Sequence, residues 1–91
     1  MSNKKNKIIL FHAHWCGACR NFMPIWKKVT DNYKNKIDVL EIEHSTFDNV
    51  KYETRDIQGF PTIILVESGE KVKDYDGNRD EKSFLEFLQM N

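Results

Sequence analysis

The chain has 91 residues, 40% of them hydrophobic, and its 14 basic residues balance 14 acidic ones. That length holds one core and no second, so residues 1–91 are expected to form a single domain, and zero net charge offers no long-range attraction to nucleic acid or to an anionic membrane surface. The only cysteines are Cys16 and Cys19, too few for a disulfide framework, which leaves redox or metal chemistry.

The first seven residues, Met1 to Lys7, are basic, and the apolar run that follows, Ile8-Ile9-Leu10-Phe11, is too short for a signal-peptide core or a membrane span. The chain as given is expected to be soluble, monomeric and cytoplasmic or otherwise intracellular. Lys7 to His12 reads as a short strand buried on both faces. From Cys16 to about Asn32 the apolar residues Phe22, Trp26, Val29 and Tyr33 recur at helical spacing, with Arg20, Lys27, Lys28 and Asp31 off that stripe. Pro24 removes the hydrogen bond to the Arg20 carbonyl, so it either kinks this helix or ends one helix and starts another.

Asn35-Lys36 is a polar turn. Ile37 to Glu43 alternates as a second strand, with Ile37, Val39 and Glu41 on one face and Leu40 and Ile42 on the other. His44 to Asp56 is polar apart from Phe47, Val50 and Tyr52, and reads as a loop with a short helix. Gly59-Phe60-Pro61 breaks the chain before Thr62 to Val66, whose β-branched run suggests a central strand. Glu67-Ser68-Gly69-Glu70 is a hairpin turn to an antiparallel strand, Val72 to Tyr75. After a turn at Asp76-Gly77-Asn78, Asp80 caps a last helix that turns Phe84, Leu85 and Leu88 to the sheet.

The chemistry concentrates in Trp15-Cys16-Gly17-Ala18-Cys19, between the first strand and the first helix. A disulfide across so small a ring adds little stability, so its value lies in opening and closing. At a helix N-terminus, unpaired N–H groups and the helix dipole favour the Cys16 thiolate, making Cys16 the nucleophile and Cys19, one turn in, the resolving thiol. The competing reading is a structural zinc site made of both cysteines with His12 and His14, although no second Cys-x-x-Cys supports it. His12 and His14 otherwise read as solvated residues at a loop edge.

Trp15-Cys16-Gly17-Ala18-Cys19, Pro24, Phe60-Pro61-Thr62 and Gly77, in this order, resemble the thioredoxin family over nearly the whole chain. Tyr75-Asp76-Gly77-Asn78-Arg79 followed by Phe84-Leu85 is also similar to a stretch in the catalytic domains of protein disulfide isomerases. The resemblance implies an α/β minimal thioredoxin fold, a four-stranded mixed sheet in the order βαβ, short α, ββα, flanked by helices, with a cis peptide bond before Pro61. It further implies a dithiol-disulfide oxidoreductase serving electron transport and cell redox homeostasis, with catalytic Cys16 and Cys19 and no metal or cofactor beyond their redox-active disulfide. Its partners are then protein disulfide or dithiol substrates and a recycling reductase or oxidase. Trp15, Gly59, Phe60, Pro61 and Gly77 are expected to form the substrate-binding surface, with the Phe60 backbone pairing an extended segment, and Gly17 and Ala18 to tune the redox poise. A non-catalytic protein-binding module built on the Trp15, Phe60 and Gly77 patch is the alternative.

Three departures from the family pattern stand out. With about seven residues before its first strand, the chain as given is expected to lack the extra N-terminal strand and helix of ordinary thioredoxins. Ala18 replaces the Pro or His usual between the cysteines. Leu10 stands where the family carries a buried acid that relays a proton for Cys19, and Glu41 on the neighbouring strand is the nearest candidate to take over that relay.

Overall fold

Strand β1 (Asn6–His12) occupies an inner position in a four-stranded sheet of order β2-β1-β3-β4, where its run of apolar residues is covered on both faces. In the computed structural model, which describes residues 6–49, 57, 59–67, 70–75 and 77–90, it is followed by α1 (Gly17–Asp31), β2 (Asp38–Glu43), a 3₁₀ helix (His44–Asn49), β3 (Thr62–Glu67), β4 (Glu70–Tyr75) and α2 (Glu81–Met90). β1 runs parallel to β2 and antiparallel to β3, and β3 pairs antiparallel with β4. This is the four-stranded mixed sheet, flanked by helices, that the family resemblance implies.

Alternation along β1 divides the core. Ile8 and Leu10 pack with Phe22, Trp26 and Val29 of α1 and with Phe84 and Leu88 of α2, so both helices cover one face. Ile9 and Phe11 face the other way, against Ile42, Ile64 and Val66, and are covered by Phe47, Ile57 and Phe60. Trp26 is fully buried, its ring stacked on Phe84 at 5.6 Å and its Nε1 donating to Glu41 Oε2 at 3.0 Å. Phe84 in turn meets Phe22 and Tyr75, so aromatic rings tie α1, α2 and β4 together.

Several boundaries move. Cys16 caps α1 rather than starting it. α1 is assigned as one helix through Pro24, which lies on its exposed side, and it does not end there. Ile37 falls outside β2, because its N–H is taken by the Tyr33 carbonyl at 3.0 Å in the turn after α1. The 3₁₀ helix follows β2 with no loop between. β4 starts at Glu70, two residues before the expected Val72, and its pairing shifts register between Leu65 and Val66. Asp80 caps α2 as expected, its Oδ1 accepting from the Ser83 N–H at 2.8 Å. The expected apolar residues Val50 and Tyr52, the turn residues Ser68 and Gly69, and Asp76 lie outside the described residues. Among the described residues no helix is long and apolar enough to cross a membrane.

Candidate active site

Between β1 and α1 the chain makes a tight turn, closed by the Cys16 N–H donating to the Ala13 carbonyl at 3.0 Å. Cys16 is then the N-cap of α1, with extended backbone angles φ −88° and ψ 116°. Cap positions usually carry Ser, Thr, Asp or Asn, whose oxygen accepts an orphan N–H of the first turn. Here the acceptor is sulfur: Cys16 Sγ receives the Cys19 N–H at 3.3 Å. An ionised sulfur accepts better than a neutral one, so the cap itself favours the thiolate.

Both cysteines are free thiols and differ sharply in setting. Cys16 is partly exposed, and its pKa is lowered from the ordinary value, first by the hydrogen bond from the Cys19 thiol and then by the backbone N–H groups of Cys19 and Ala18 and the positive charge of Arg79. Cys19 is 3% exposed. Burial, followed by its donation to the Cys16 sulfur, pushes its pKa up to about 11. One sulfur is thus poised to attack while the other holds its proton.

Phe60 and Pro61 meet the site from the start of β3. Their peptide bond is cis, and the Phe60 carbonyl accepts from the Cys16 thiol at 3.6 Å. Pro61 is buried, and the Arg79 guanidinium donates to its carbonyl at 3.4 Å, bringing the segment before α2 to the same place. Gly59 is exposed, its carbonyl held by Thr62 Oγ1 at 2.7 Å. Trp15 is 59% exposed beside Cys16, its ring edge-on to Phe60 at 5.8 Å and to His44 at 5.9 Å. His44 and Phe47 close the group, 5.3 Å from each other and 5.5 and 6.0 Å from Phe60.

The structure therefore joins Trp15, Cys16, Cys19, Phe60 and Pro61. Gly77 is exposed, and the ring that a Cβ there would meet is Tyr75 at 2.8 Å. Gly17 and Ala18 are exposed in the first turn of α1. A Cβ at Gly17 or Gly59 would meet nothing within 4 Å, so steric need does not explain either glycine.

Sequence reasoning missed His44, Phe47 and Glu43, and gave Arg79 no role. His44 and Phe47 fall on the 3₁₀ helix, where neither a two-residue nor a 3.6-residue period marks a face. Glu43 looked like the polar end of a strand. In the fold its Oε2 accepts from the His14 N–H and Nδ1, and its Oε1 from Ser45.

Cys19 also lines an open, largely apolar groove of about 620 Å³, together with His12, Ala13, His14, Met23 and Pro24 and the two cations Arg20 and Lys27. A more polar depression of about 600 Å³ lies farther along α1, where Glu41 faces Lys27, Asp31 and Lys34. Among the described residues no group of three or more His, Cys, Asp or Glu is placed to hold a metal.

The family model for thioredoxin matches residues 1–90. A protein disulfide-isomerase of Ricinus communis is 32% identical over 88 residues, which cover 96% of this chain and 18% of that protein, so the chain spans less than a fifth of that relative's length. Among solved structures, the zinc-bound form of human ERp44 superposes with a TM-score of 0.83 at 21% identity, over 97% of this chain and 27% of that one. The germline-specific thioredoxin Deadhead of Drosophila melanogaster gives 0.81 at 23% identity, over 97% of this chain and 82% of that one. These two likenesses carry the fold, and the family model carries the membership: the chain belongs to the thioredoxin family.

Proposed function

We propose that the chain exchanges disulfides with protein substrates, Cys16 acting as the attacking thiolate and Cys19 as the resolving thiol. The observation that carries this reading is the cap of α1, where Cys16 Sγ, partly exposed, is the acceptor for the Cys19 N–H. The Cys16 thiolate attacks one sulfur of a target disulfide, forming a mixed disulfide and expelling the other target sulfur as a thiolate. Cys19 then loses its proton and attacks Cys16 Sγ, which closes the Cys16-Cys19 disulfide and releases the second target sulfur. Two electrons pass from the dithiol to the target, and the reverse sequence oxidises a dithiol. A reductase or oxidase recycles the pair.

The exposed rings of Trp15 and His44, backed by Phe60 and Phe47, support binding of an extended segment of the target next to Cys16. A dithiol-driven insulin reduction assay tests the proposal. Turnover is expected from the native chain, none from Cys16→Ser, and covalent mixed disulfides are expected to accumulate with Cys19→Ser. Trapping by Cys16→Ser instead reverses the roles. Binding of targets without turnover by the native chain favours the protein-binding module.

A further inference from the structure

Resting on the oxidoreductase reading, we infer that His12 is the proton acceptor for Cys19 in the resolving step. Residues 8, 10 and 12 of β1 lie on the α1 face, and the first two are sealed in the core, Ile8 at 0% and Leu10 at 1% exposure. His12, at the open end of the strand, is partly buried and lines the groove whose wall includes Cys19, Met23 and Pro24. The groove opens to solvent, so water in it can connect the imidazole with the thiol.

The need for a base follows from the position of Cys19. Burial by itself raises the Cys19 pKa above the ordinary 9.0, so this thiol, 3% exposed, is scarcely ionised near neutral pH even when Cys16 is held in the mixed disulfide. Other basic groups are placed less well. Glu41 takes the indole N–H of Trp26 and lines the separate depression beside Lys34, not the Cys19 groove. His14 shares the groove, but its side chain is 77% exposed and its Nδ1 is held by Glu43.

The charged groups around His12 are Arg20 and Lys27 from α1, Glu43 opposite it on β2, and His14 and Cys19 themselves. In the step, the Cys19 proton passes to a His12 ring nitrogen, directly or through one water. The Cys19 thiolate forms its bond to Cys16 Sγ, the Cys16–target bond breaks, and the target leaves as a thiolate that takes up a proton from water. His12 then releases its own to the groove.

Stopped-flow kinetics with a disulfide peptide test this by timing formation and release of the mixed disulfide separately. His12→Gln should slow release near neutral pH by about tenfold or more and leave formation unchanged. Added imidazole should restore release in His12→Ala, and Glu41→Gln should release at the native rate. Equal release by His12→Gln and the native chain, or equal slowing of both steps, overturns the assignment. If His12→Gln does not fold, the solvent deuterium effect on release in the native chain decides, and equal release rates in water and deuterium oxide overturn the assignment. Failure of the native chain to form any mixed disulfide overturns the oxidoreductase reading and this assignment with it.

Discussion

Glu43 Oε2 accepts two hydrogen bonds from His14, one from its backbone N–H and one from Nδ1, each at 3.0 Å. The other carboxylate oxygen takes the Ser45 N–H at 2.8 Å and the Ser45 hydroxyl. One side chain at the end of β2 thereby fastens the turn that carries Trp15 and Cys16 to the start of the 3₁₀ helix that carries His44. These donors, the Ser45 hydroxyl foremost, hold the Glu43 pKa well below its ordinary value of 4.5. A carboxylate with a lowered folded pKa contributes stability above its unfolded pKa and loses it as pH falls below that value. The melting temperature of Glu43→Gln should therefore lie furthest below that of the native chain near neutral pH, with the gap shrinking below about pH 4.5. A gap that stays constant into acid would show that charge on Glu43 is not what matters.

Ala18 offers a backbone N–H that helps lower the Cys16 pKa. Proline has none. Ala18→Pro should raise the Cys16 pKa, measured by thiolate absorbance, and make the pair more reducing. If that hydrogen bond contributes about 0.5–1.5 kcal/mol, the potential should fall by roughly 10–30 mV. A potential that is unchanged or higher in equilibrium with glutathione would remove Ala18 as the tuning residue.

In the reduced protein the raised Cys19 pKa works in the opposite direction to that of Glu43. The folded state keeps the Cys19 proton up to about pH 11, whereas an ordinary thiol loses it near 9.0. Its contribution is complete below pH 9 and is lost as pH rises from there through the folded value. Urea unfolding of the reduced protein should show stability falling over that interval, and Cys19→Ala should fall less. Identical slopes would mean that Cys19 is not buried as described.

Gly77 tests a steric contact. A Cβ there would sit 2.8 Å from Tyr75 Cε1, and the Tyr75 ring cannot easily yield because Phe84 and Phe87 pack on it at 5.7 and 4.9 Å. Its hydroxyl also donates to the Asn78 carbonyl. Gly77→Ala should cost roughly 1–3 kcal/mol in chemical denaturation, the usual range for overpacking. A neutral effect would indicate that the turn opens freely.

The elements of this fold were legible because each one buries a regular pattern. The four-three-four spacing of Phe22, Trp26, Val29 and Tyr33 marked α1, and the alternation of Val39, Leu40, Glu41 and Ile42 marked β2 with its faces correctly assigned. Cys16, Cys19 and Pro61 were legible through short motifs. The surroundings of the site were not, because they depend on contacts between segments distant in sequence: Glu43 reaches His14 across 29 residues, and Phe60 reaches Cys16 across 44. The partner of a side chain within a strand was equally hidden. Glu41 shares a face with Leu10, as its register requires, yet its carboxylate is engaged by the Trp26 indole.

The two tryptophans lie at opposite extremes of exposure, Trp26 at 0% and Trp15 at 59%. The chain therefore contains two indole fluorophores with separate duties. A water-borne collisional quencher such as iodide reaches the indole beside Cys16 and not the one stacked on Phe84. With Trp15 replaced by Phe, the remaining emission follows unfolding of the core alone. With Trp26 replaced by Phe, it follows what docks on the aromatic surface, so folding and target binding can be read in one cuvette without attaching a dye.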